Sequence, residues 1–85
     1  MLRLVFTDEG WDDYQHWVAS DRAVLKRVNA LITDARRDPT SGIGKPELLR
    51  FTDSTRWSRR ITQEHRLVYS FDGDQLIVWQ CRYHY

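Results

Sequence analysis

The stretch from Trp57 to Tyr69 reads WSRRITQEHRLVY, and its pattern decides the fold. Apolar side chains occupy odd positions on both sides of a short polar break, which is the period-two pattern of two β-strands joined by a turn. Arg60 and Arg66 then point away from the apolar face, whereas His65 points toward it and is expected to be a half-buried structural histidine. The hairpin therefore predicts a rigid, exposed surface of guanidinium groups that suits an anion.

Length and composition predict one small globular domain covering residues 1–85. With 41% hydrophobic and 13% aromatic residues the chain is typical of folded proteins, but a chain this short is expected to be completed by a partner. No apolar run approaches the length of a membrane span. The N-terminus runs into acidic residues without a signal segment and Cys81 is the only cysteine, so we expect a cytoplasmic protein without a metal or other cofactor.

Basic charge is concentrated in the second half of the chain. Residues 45–66 carry six Lys or Arg against three Asp or Glu, although the formal net charge of the whole chain is +1. Eleven of the thirteen cations are Arg, which binds phosphate in a bidentate manner. A GC-rich genome produces the same preference for Arg, so it is the charge distribution that favours an anionic partner.

The first half of the chain predicts one strand and two helices. A strand of about five residues opens the chain, and a helix capped by Thr7 or Asp8 follows it. A second helix starts at Ser20 or Asp21 and ends before Pro39. The apolar residues at helical spacing that are expected to face the core are Trp11, Tyr14, Trp17 and Val18 in the first helix, and Val24, Leu25, Val28, Leu31, Ile32 and Ala35 in the second.

The second half of the chain predicts strands. Residues 38–46 contain two Pro and two Gly and form a loop that delivers Lys45 and Glu47. A short strand at 48–49 and a polar turn at 50–56 lead into the hairpin.

The last strand follows a turn at 72–74 and is predicted to reach residue 83. Alternation places four of its side chains on one apolar face in the core, namely Ile77, Trp79, Cys81 and Tyr83. Helices thus come early and strands late, which predicts an α+β fold. In this fold two N-terminal helices pack on one face of a four- to five-stranded, mainly antiparallel, twisted sheet.

Five motifs carry a resemblance to a known family. They are Gly-Trp-Asp-Asp-Tyr at 10–14, Gly-Lys-Pro-Glu at 44–47, Trp-Ser-Arg-Arg-Ile-Thr at 57–62, Glu-His-Arg-Leu-Val-Tyr at 64–69 and Cys-Arg-Tyr-His-Tyr at 81–85. Over essentially its whole length the chain resembles the Txe/YoeB toxins of the RelE-like group. The turn at 51–56 and the aromatic residues around Trp79 depart from the family pattern, which bears on the fit to antitoxin and ribosome.

The resemblance implies a fold, an activity and a set of partners. The fold is a RelE-like βααβββ arrangement, and the activity is that of a ribosome-dependent mRNA interferase. Such a toxin cuts mRNA in the ribosomal A site and inhibits translation. The implied partners are a cognate antitoxin of the YefM/Axe kind, the ribosome and mRNA, with no membrane; the sequence does not decide between a monomer and a homodimer.

The resemblance also implies residue roles. Glu47 matches the general base, Arg66 the arginine that stabilises the phosphate, His84 the general acid, and Tyr85 the terminal aromatic residue that contacts the substrate base. These side chains are of the types that metal-independent RNA cleavage needs, since a base must accept the 2′-hydroxyl proton and an acid must protonate the leaving 5′-oxygen. The cations predicted to bind the substrate are Lys45, Arg59 and Arg60.

Each of these residues also has an ordinary structural explanation. Glu47 can be a surface carboxylate paired with Lys45 or Arg50, and Arg66 a solvated strand residue. The alternative function is a non-catalytic RNA- or ribosome-binding module in which arginines neutralise phosphates and aromatic rings stack on bases. The presence of both Glu47 and His84 favours a nuclease, because phosphate binding alone gains nothing from a carboxylate.

Overall fold

The computed structural model of the chain describes residues 1–50 and 55–84. Part of the turn predicted at 50–56, and Tyr85, therefore lie outside the described residues. The elements are, in chain order, β1 (Arg3–Phe6), α1 (Asp8–Ser20), α2 (Arg22–Arg37), β2 (Glu47–Leu49), β3 (Arg56–Arg60), β4 (Arg66–Asp72) and β5 (Gln75–Gln80).

The strands form a five-stranded sheet in the order β1-β5-β4-β3-β2. β1 and β5 run parallel, and the other neighbouring strands run antiparallel. The predicted α+β fold is confirmed, and the short strand β2 adds one element to the βααβββ arrangement that the resemblance implies. The predicted hairpin is β3 and β4, in which Trp57 lies opposite Tyr69 and Arg60 lies opposite Arg66.

Side-chain caps explain where the helices begin. Thr7 Oγ1 accepts a hydrogen bond from the Gly10 N–H at 3.1 Å, and Asp21 Oδ1 accepts one from the Val24 N–H at 3.1 Å. Such caps satisfy N–H groups that have no partner in the first turn of a helix. Arg36 and Arg37 lie in the last turn of α2, where the helix dipole favours cations. Within residues 1–50 and 55–84, neither helix is long and apolar enough to cross a membrane.

The core lies between the helices and one face of the sheet. Its buried members are Trp17, Val28, Leu31, Ile32, Ala35, Ile61, Leu67, Tyr69, Leu76, Val78 and Cys81. The predicted stripe of α2 is confirmed, but that of α1 is only partly so, because Trp11 is 49% and Val18 52% exposed. Trp11 lies at the exposed edge of the stripe, where its ring stacks on Tyr14 and meets Phe6 edge to face.

The prediction for the last strand is wrong in its length and in its core face. β5 ends at Gln80, and its buried core residues are Leu76 and Val78 rather than Ile77 and Trp79. Val78 pairs with the buried Tyr69 and lies on the same face, which puts the even-numbered side chains of β5 in the core. A β-bulge follows, since Val68 pairs with Gln80 and Trp79 is left as an extra residue. An extra residue reverses the alternation of side chains. Cys81 therefore returns to the core face although it follows the even-numbered core positions.

Candidate active site

Arg59, which was predicted to bind substrate, is fully buried, so this prediction is wrong. Alternation along β3 turns Arg59 toward the helices and leaves Ser58 and Arg60 on the opposite face. Five hydrogen bonds surround the Arg59 guanidinium, as many as its N–H groups. They run from Nε to Tyr69 Oη (2.9 Å), from Nη1 to Asp34 Oδ2 (2.6 Å) and Ile43 O (3.1 Å), and from Nη2 to Asp38 O (2.6 Å) and Ser41 O (2.9 Å).

The loop at 38–44 is thus wrapped around a buried cation. Arg60 N–H donates to Gly44 O at 2.7 Å and ties the end of the loop to β3. Gly44 has φ +80°, and a Cβ there would lie 2.6 Å from a methyl carbon of Leu31, so only glycine fits. The loop is fixed immediately before the residues that it was predicted to deliver, Lys45 and Glu47.

The Asp34 carboxylate makes the stability of this hydrogen-bond network depend on pH. The hydrogen bond from Arg59 is the main reason that the pKa of Asp34 lies below its ordinary value of 3.8, and the Ile43 N–H contributes in the same direction. A carboxylate whose pKa is lowered by folding stabilises the protein above its unfolded-state pKa, and this contribution is lost as pH falls through the folded-state pKa.

We therefore expect part of the acid destabilisation of this protein to come from Asp34. Asp34→Asn removes the titrating group but retains a side-chain oxygen for Arg59. The urea midpoint of the variant should fall less steeply than that of the parent as the pH is lowered below the ordinary value of 3.8. The measurement is urea unfolding as a function of pH, and parallel curves for parent and variant would contradict the assignment.

The opposite face of the sheet carries a cavity of about 110 Å³. Four separate segments supply its lining side chains, which are Lys45, Glu47, Ser58, Arg60, Arg66 and His84. Every proposed site residue that the structure describes is therefore present here, except Arg59. Ser58 was not singled out from the sequence, although its position two residues before Arg60 places it on the same face.

The register of the strands sets the layout of the cavity. Glu47 on β2 lies opposite Ser58 on β3, and Arg60 on β3 lies opposite Arg66 on β4. Glu47 and Arg66 are thus two strand spacings apart, about 9–10 Å across the sheet, and two residues apart along it, because Ser58 pairs with Val68. The Glu47 and Arg66 side chains thus reach the same cavity from two different strands.

The charges in the cavity favour an anion. Within residues 1–50 and 55–84, the Glu47 carboxylate makes no ion pair, and the structural pairing with Lys45 or Arg50 is not seen. Arg66 is anchored by its Nη1, which donates to the carbonyl oxygens of Thr62 (2.6 Å), His65 (3.0 Å) and Gln63 (3.2 Å). The cavity thus contains one carboxylate and three cations, which are Lys45, Arg60 and Arg66.

The C-terminal segment, residues 81–84, brings His84 to this cavity. Trp17 Nε1–H donates to Cys81 O at 2.7 Å, and the Cys81 N–H donates to Asp13 Oδ2 at 3.0 Å. His84 Nε2 lies 3.3 Å from Gln63 O. The prediction that Tyr83 belongs to the core is wrong, because Tyr83 is 56% exposed. The strand has already ended at Gln80, so alternation no longer turns this residue inward.

Burial makes Cys81 a structural residue. Burial raises the pKa of the Cys81 thiol to about 12, and the charge of Asp13 acts in the same direction. Burial likewise raises the pKa of Asp13, against the hydrogen bond from the Cys81 N–H. A thiol that stays protonated at neutral pH is a poor nucleophile, so Cys81 has no part in the chemistry of the cavity.

A larger depression of about 320 Å³ lies elsewhere, between β1 and the two helices. Its lining is mainly apolar and aromatic: Leu4, Phe6, Trp11, Tyr14, Asn29, Ile32, Thr33 and Arg36. The side chains that line this depression do not include a carboxylate or a histidine that could act as base or acid. The smaller cavity is therefore the candidate active site. In the part of the chain that the structure describes, no group of three or more His, Cys, Asp or Glu side chains is arranged to hold a metal ion.

Known proteins are similar to this chain in fold and in sequence over nearly its whole length. Residues 6–85 match the family described as YoeB-like toxin of bacterial type II toxin-antitoxin system. Toxin YoeB of Streptomyces coelicolor is 56% identical over 84 residues, which cover 99% of this chain and 100% of that protein. A YoeB/ParE toxin from Agrobacterium tumefaciens superposes with a TM-score of 0.90 at 48% identity, covering 99% of this chain and 100% of that one.

A solved assembly is also similar. In the YoeB-YefM complex from Staphylococcus aureus, the matching chain superposes with a TM-score of 0.89 at 35% identity, covering 100% of this chain and 99% of that one. The resemblance inferred from the five motifs is confirmed. The chain belongs to the YoeB-like toxins of bacterial type II toxin–antitoxin systems.

Proposed function

We propose that this toxin is a ribosome-dependent mRNA interferase, an endoribonuclease that cuts mRNA in the ribosomal A site by metal-independent acid–base chemistry and so inhibits translation. The observation that carries the proposal is the meeting of Glu47, Arg66 and His84 in one cation-rich cavity. These side chains are a base, a phosphate-binding cation and an acid, which together are sufficient for cleavage at a 2′-hydroxyl group. Residues 1–85 act as a single toxin domain.

The reaction uses the 2′-hydroxyl of the substrate as the nucleophile. Glu47 accepts the proton of the 2′-hydroxyl while the 2′-oxygen forms a bond to the adjacent phosphorus. The bond from phosphorus to the 5′-oxygen breaks, and His84 donates a proton to the departing oxygen. Arg66 stabilises the additional negative charge on the phosphoryl oxygens. The products carry a 2′,3′-cyclic phosphate and a 5′-hydroxyl.

Binding of the RNA involves the remaining cations. Lys45 and Arg60 flank Glu47 and Arg66 in the cavity, where they neutralise neighbouring phosphates. Tyr85, which follows His84 in the chain, contacts the substrate base. These assignments leave Arg59 out of substrate binding because its guanidinium is buried on the other face.

The size of the cavity supports a need for the ribosome. Its volume of about 110 Å³ is small against the ~300–1,000 Å³ of typical ligand pockets, so the toxin alone holds little of a nucleotide. In-line attack requires the 2′-oxygen, the phosphorus and the 5′-oxygen to be aligned, and correct alignment can contribute several kcal/mol to a reaction. The mRNA fixed in the decoding site supplies this alignment.

Control by an antitoxin follows from the family. The S. aureus relative forms a YoeB-YefM complex. We propose that an antitoxin of the YefM/Axe kind binds this toxin in the cytoplasm, and either covers the cavity or displaces the C-terminal segment. A partner that binds only the folded state also raises its thermal stability.

The experiment that tests the function uses purified ribosomes with defined mRNA in the A site. We expect cleavage only when ribosomes are present, with a cyclic phosphate and a 5′-hydroxyl at the cut. Replacing the 2′-hydroxyl by hydrogen at that one nucleotide should abolish cleavage because the nucleophile is gone, while the toxin still binds the ribosome. Cleavage of the deoxy substrate would contradict the role of Glu47. Binding to the ribosome without any cleavage of the all-ribose mRNA would favour the non-catalytic module.

A further inference from the structure

A histidine of the β3–β4 hairpin, His65, is one of the residues that attach the C-terminal segment carrying His84. The Tyr83 N–H donates to His65 Nδ1 at 2.7 Å, and the next bond in the same contact runs from the Arg66 N–H to Tyr83 O at 3.0 Å. Tyr83 adopts φ +64°, a left-handed conformation that a bulky residue seldom adopts. A backbone in that conformation has to be held by its surroundings, and the bond to His65 lies at this position.

His65 is itself held firmly. Its imidazole meets the buried Trp17 ring edge to face with centroids 4.8 Å apart, and lies 5.4 Å from the Tyr83 ring. Its backbone N–H donates to Thr62 Oγ1 at 3.2 Å, and its carbonyl oxygen accepts from the Ile61 N–H at 3.0 Å. The acceptor nitrogen is therefore fixed in position by the hairpin and by α1 together.

We propose that His65 is a positioning residue, whose unprotonated Nδ1 fixes Tyr83 and thereby orients His84 in the cavity. A backbone N–H can donate only to a ring nitrogen that carries no proton, so His65 is held as the neutral tautomer with its proton on Nε2. His84 is the next residue, and its own Nε2 lies near Gln63 O of the same hairpin turn. The inference rests on the proposed function, since it assigns His65 to the placement of the general acid.

Two substitutions separate the hydrogen bond from the packing of the ring. His65→Phe keeps an aromatic ring against Trp17 but has no acceptor for the Tyr83 N–H. His65→Asn gives up the ring but places Oδ1 where Nδ1 lies, and so restores an acceptor. His16→Phe is the matched control, because the His16 ring also packs on Trp17, with centroids 4.8 Å apart, but makes no hydrogen bond to residues 81–84.

The readout is the rate of ribosome-dependent cleavage, measured with the urea midpoint of each variant. We expect His65→Phe to lower kcat by about 10- to 10²-fold with little change in KM, because a catalytic group displaced by about 1 Å loses alignment but the RNA contacts remain. His65→Asn should recover most of this loss despite lower stability, and His16→Phe should cleave at the parental rate. Parental kcat in folded His65→Phe, or equal losses in His65→Phe and His65→Asn, would overturn the proposal.

A spectroscopic measurement covers the case in which His65→Phe does not fold. Nitrogen-15 spectra of the full chain report the protonation of each ring nitrogen, and the Glu47→Gln variant supplies protein without the proposed toxicity. We expect the signature of an unprotonated Nδ1 and a protonated Nε2 at His65. A proton on Nδ1 would overturn the proposal. If the parental toxin cleaves no mRNA on ribosomes, the proposed function fails separately, and the spectra still test the contact.

Discussion

Glu47→Gln is expected to lower the rate of ribosome-dependent mRNA cleavage by about 10²- to 10⁴-fold, the range for removing a general base. The amide keeps the shape of the side chain but cannot accept the 2′-hydroxyl proton. Stability should change by no more than about 0.5 kcal/mol, because Glu47 is exposed and makes no ion pair within residues 1–50 and 55–84. Activity and stability are thus expected to separate at this position.

The measurement pairs single-turnover cleavage on ribosomes with urea unfolding of the same preparation. Glu9→Gln is the matched control: Glu9 is an exposed carboxylate in the first turn of α1, away from the cavity lining. It should leave cleavage unchanged. Glu47→Gln cleaving within a few-fold of the parent, with ribosome binding intact, would remove Glu47 as the base.

The hairpin could be predicted from the sequence because its pattern is local. Strand alternation alone puts Trp57 and Tyr69 on the core face and Arg60 with Arg66 on the other, and the pairing in the structure is the same. The position of Glu47, two strands away from Arg66, follows once β2 pairs with β3. Much of the candidate site is therefore encoded in short-range patterns.

The last strand could not be predicted in the same way. The β-bulge at Trp79 depends on how β5 pairs with β4, and the residue types of β5 do not indicate it. The C-terminal segment depends on contacts with Trp17 and Asp13, which are more than 60 positions away in the chain. The local pattern carries no information on such contacts, so Tyr83 was assigned to the core.

The burial of Arg59 could not be predicted from the sequence for a different reason. Alternation already placed it on the face of Trp57 and Ile61, but an arginine is rarely buried without partners, and a solvated guanidinium was the simpler expectation. Its partners come from the 38–44 loop and from Asp34, whose approach to β3 the sequence pattern does not reveal. A buried cation is thus predictable only when the acceptors that surround it are known.

Arg59→Met is expected to destabilise the fold by about 3–5 kcal/mol, because several buried acceptors lose a hydrogen bond at ~1–3 kcal/mol each and part of this cost is relieved by water at the partly exposed Asp34. The substitution removes the Arg59 donor from Asp34, Tyr69 and three loop carbonyl oxygens, and methionine fills the volume without replacing any hydrogen bond. Asp34 keeps the hydrogen bond from the Ile43 N–H. For a domain of this size, each 1 kcal/mol corresponds to about 4–8 °C in Tm. A loss of more than about 10 °C should follow.

Arg60→Met provides the matched control, because Arg60 is the next residue in β3 and its side chain is exposed. The control should keep the parental Tm but bind the ribosome–mRNA complex less tightly, since it removes a cation from the cavity. Thermal unfolding and binding are measured on both variants. A parental Tm for Arg59→Met would mean that the five hydrogen bonds contribute no net stability. The rigid placement of Lys45 and Glu47 would then have to come from the Gly44 turn and its bond to Arg60 instead.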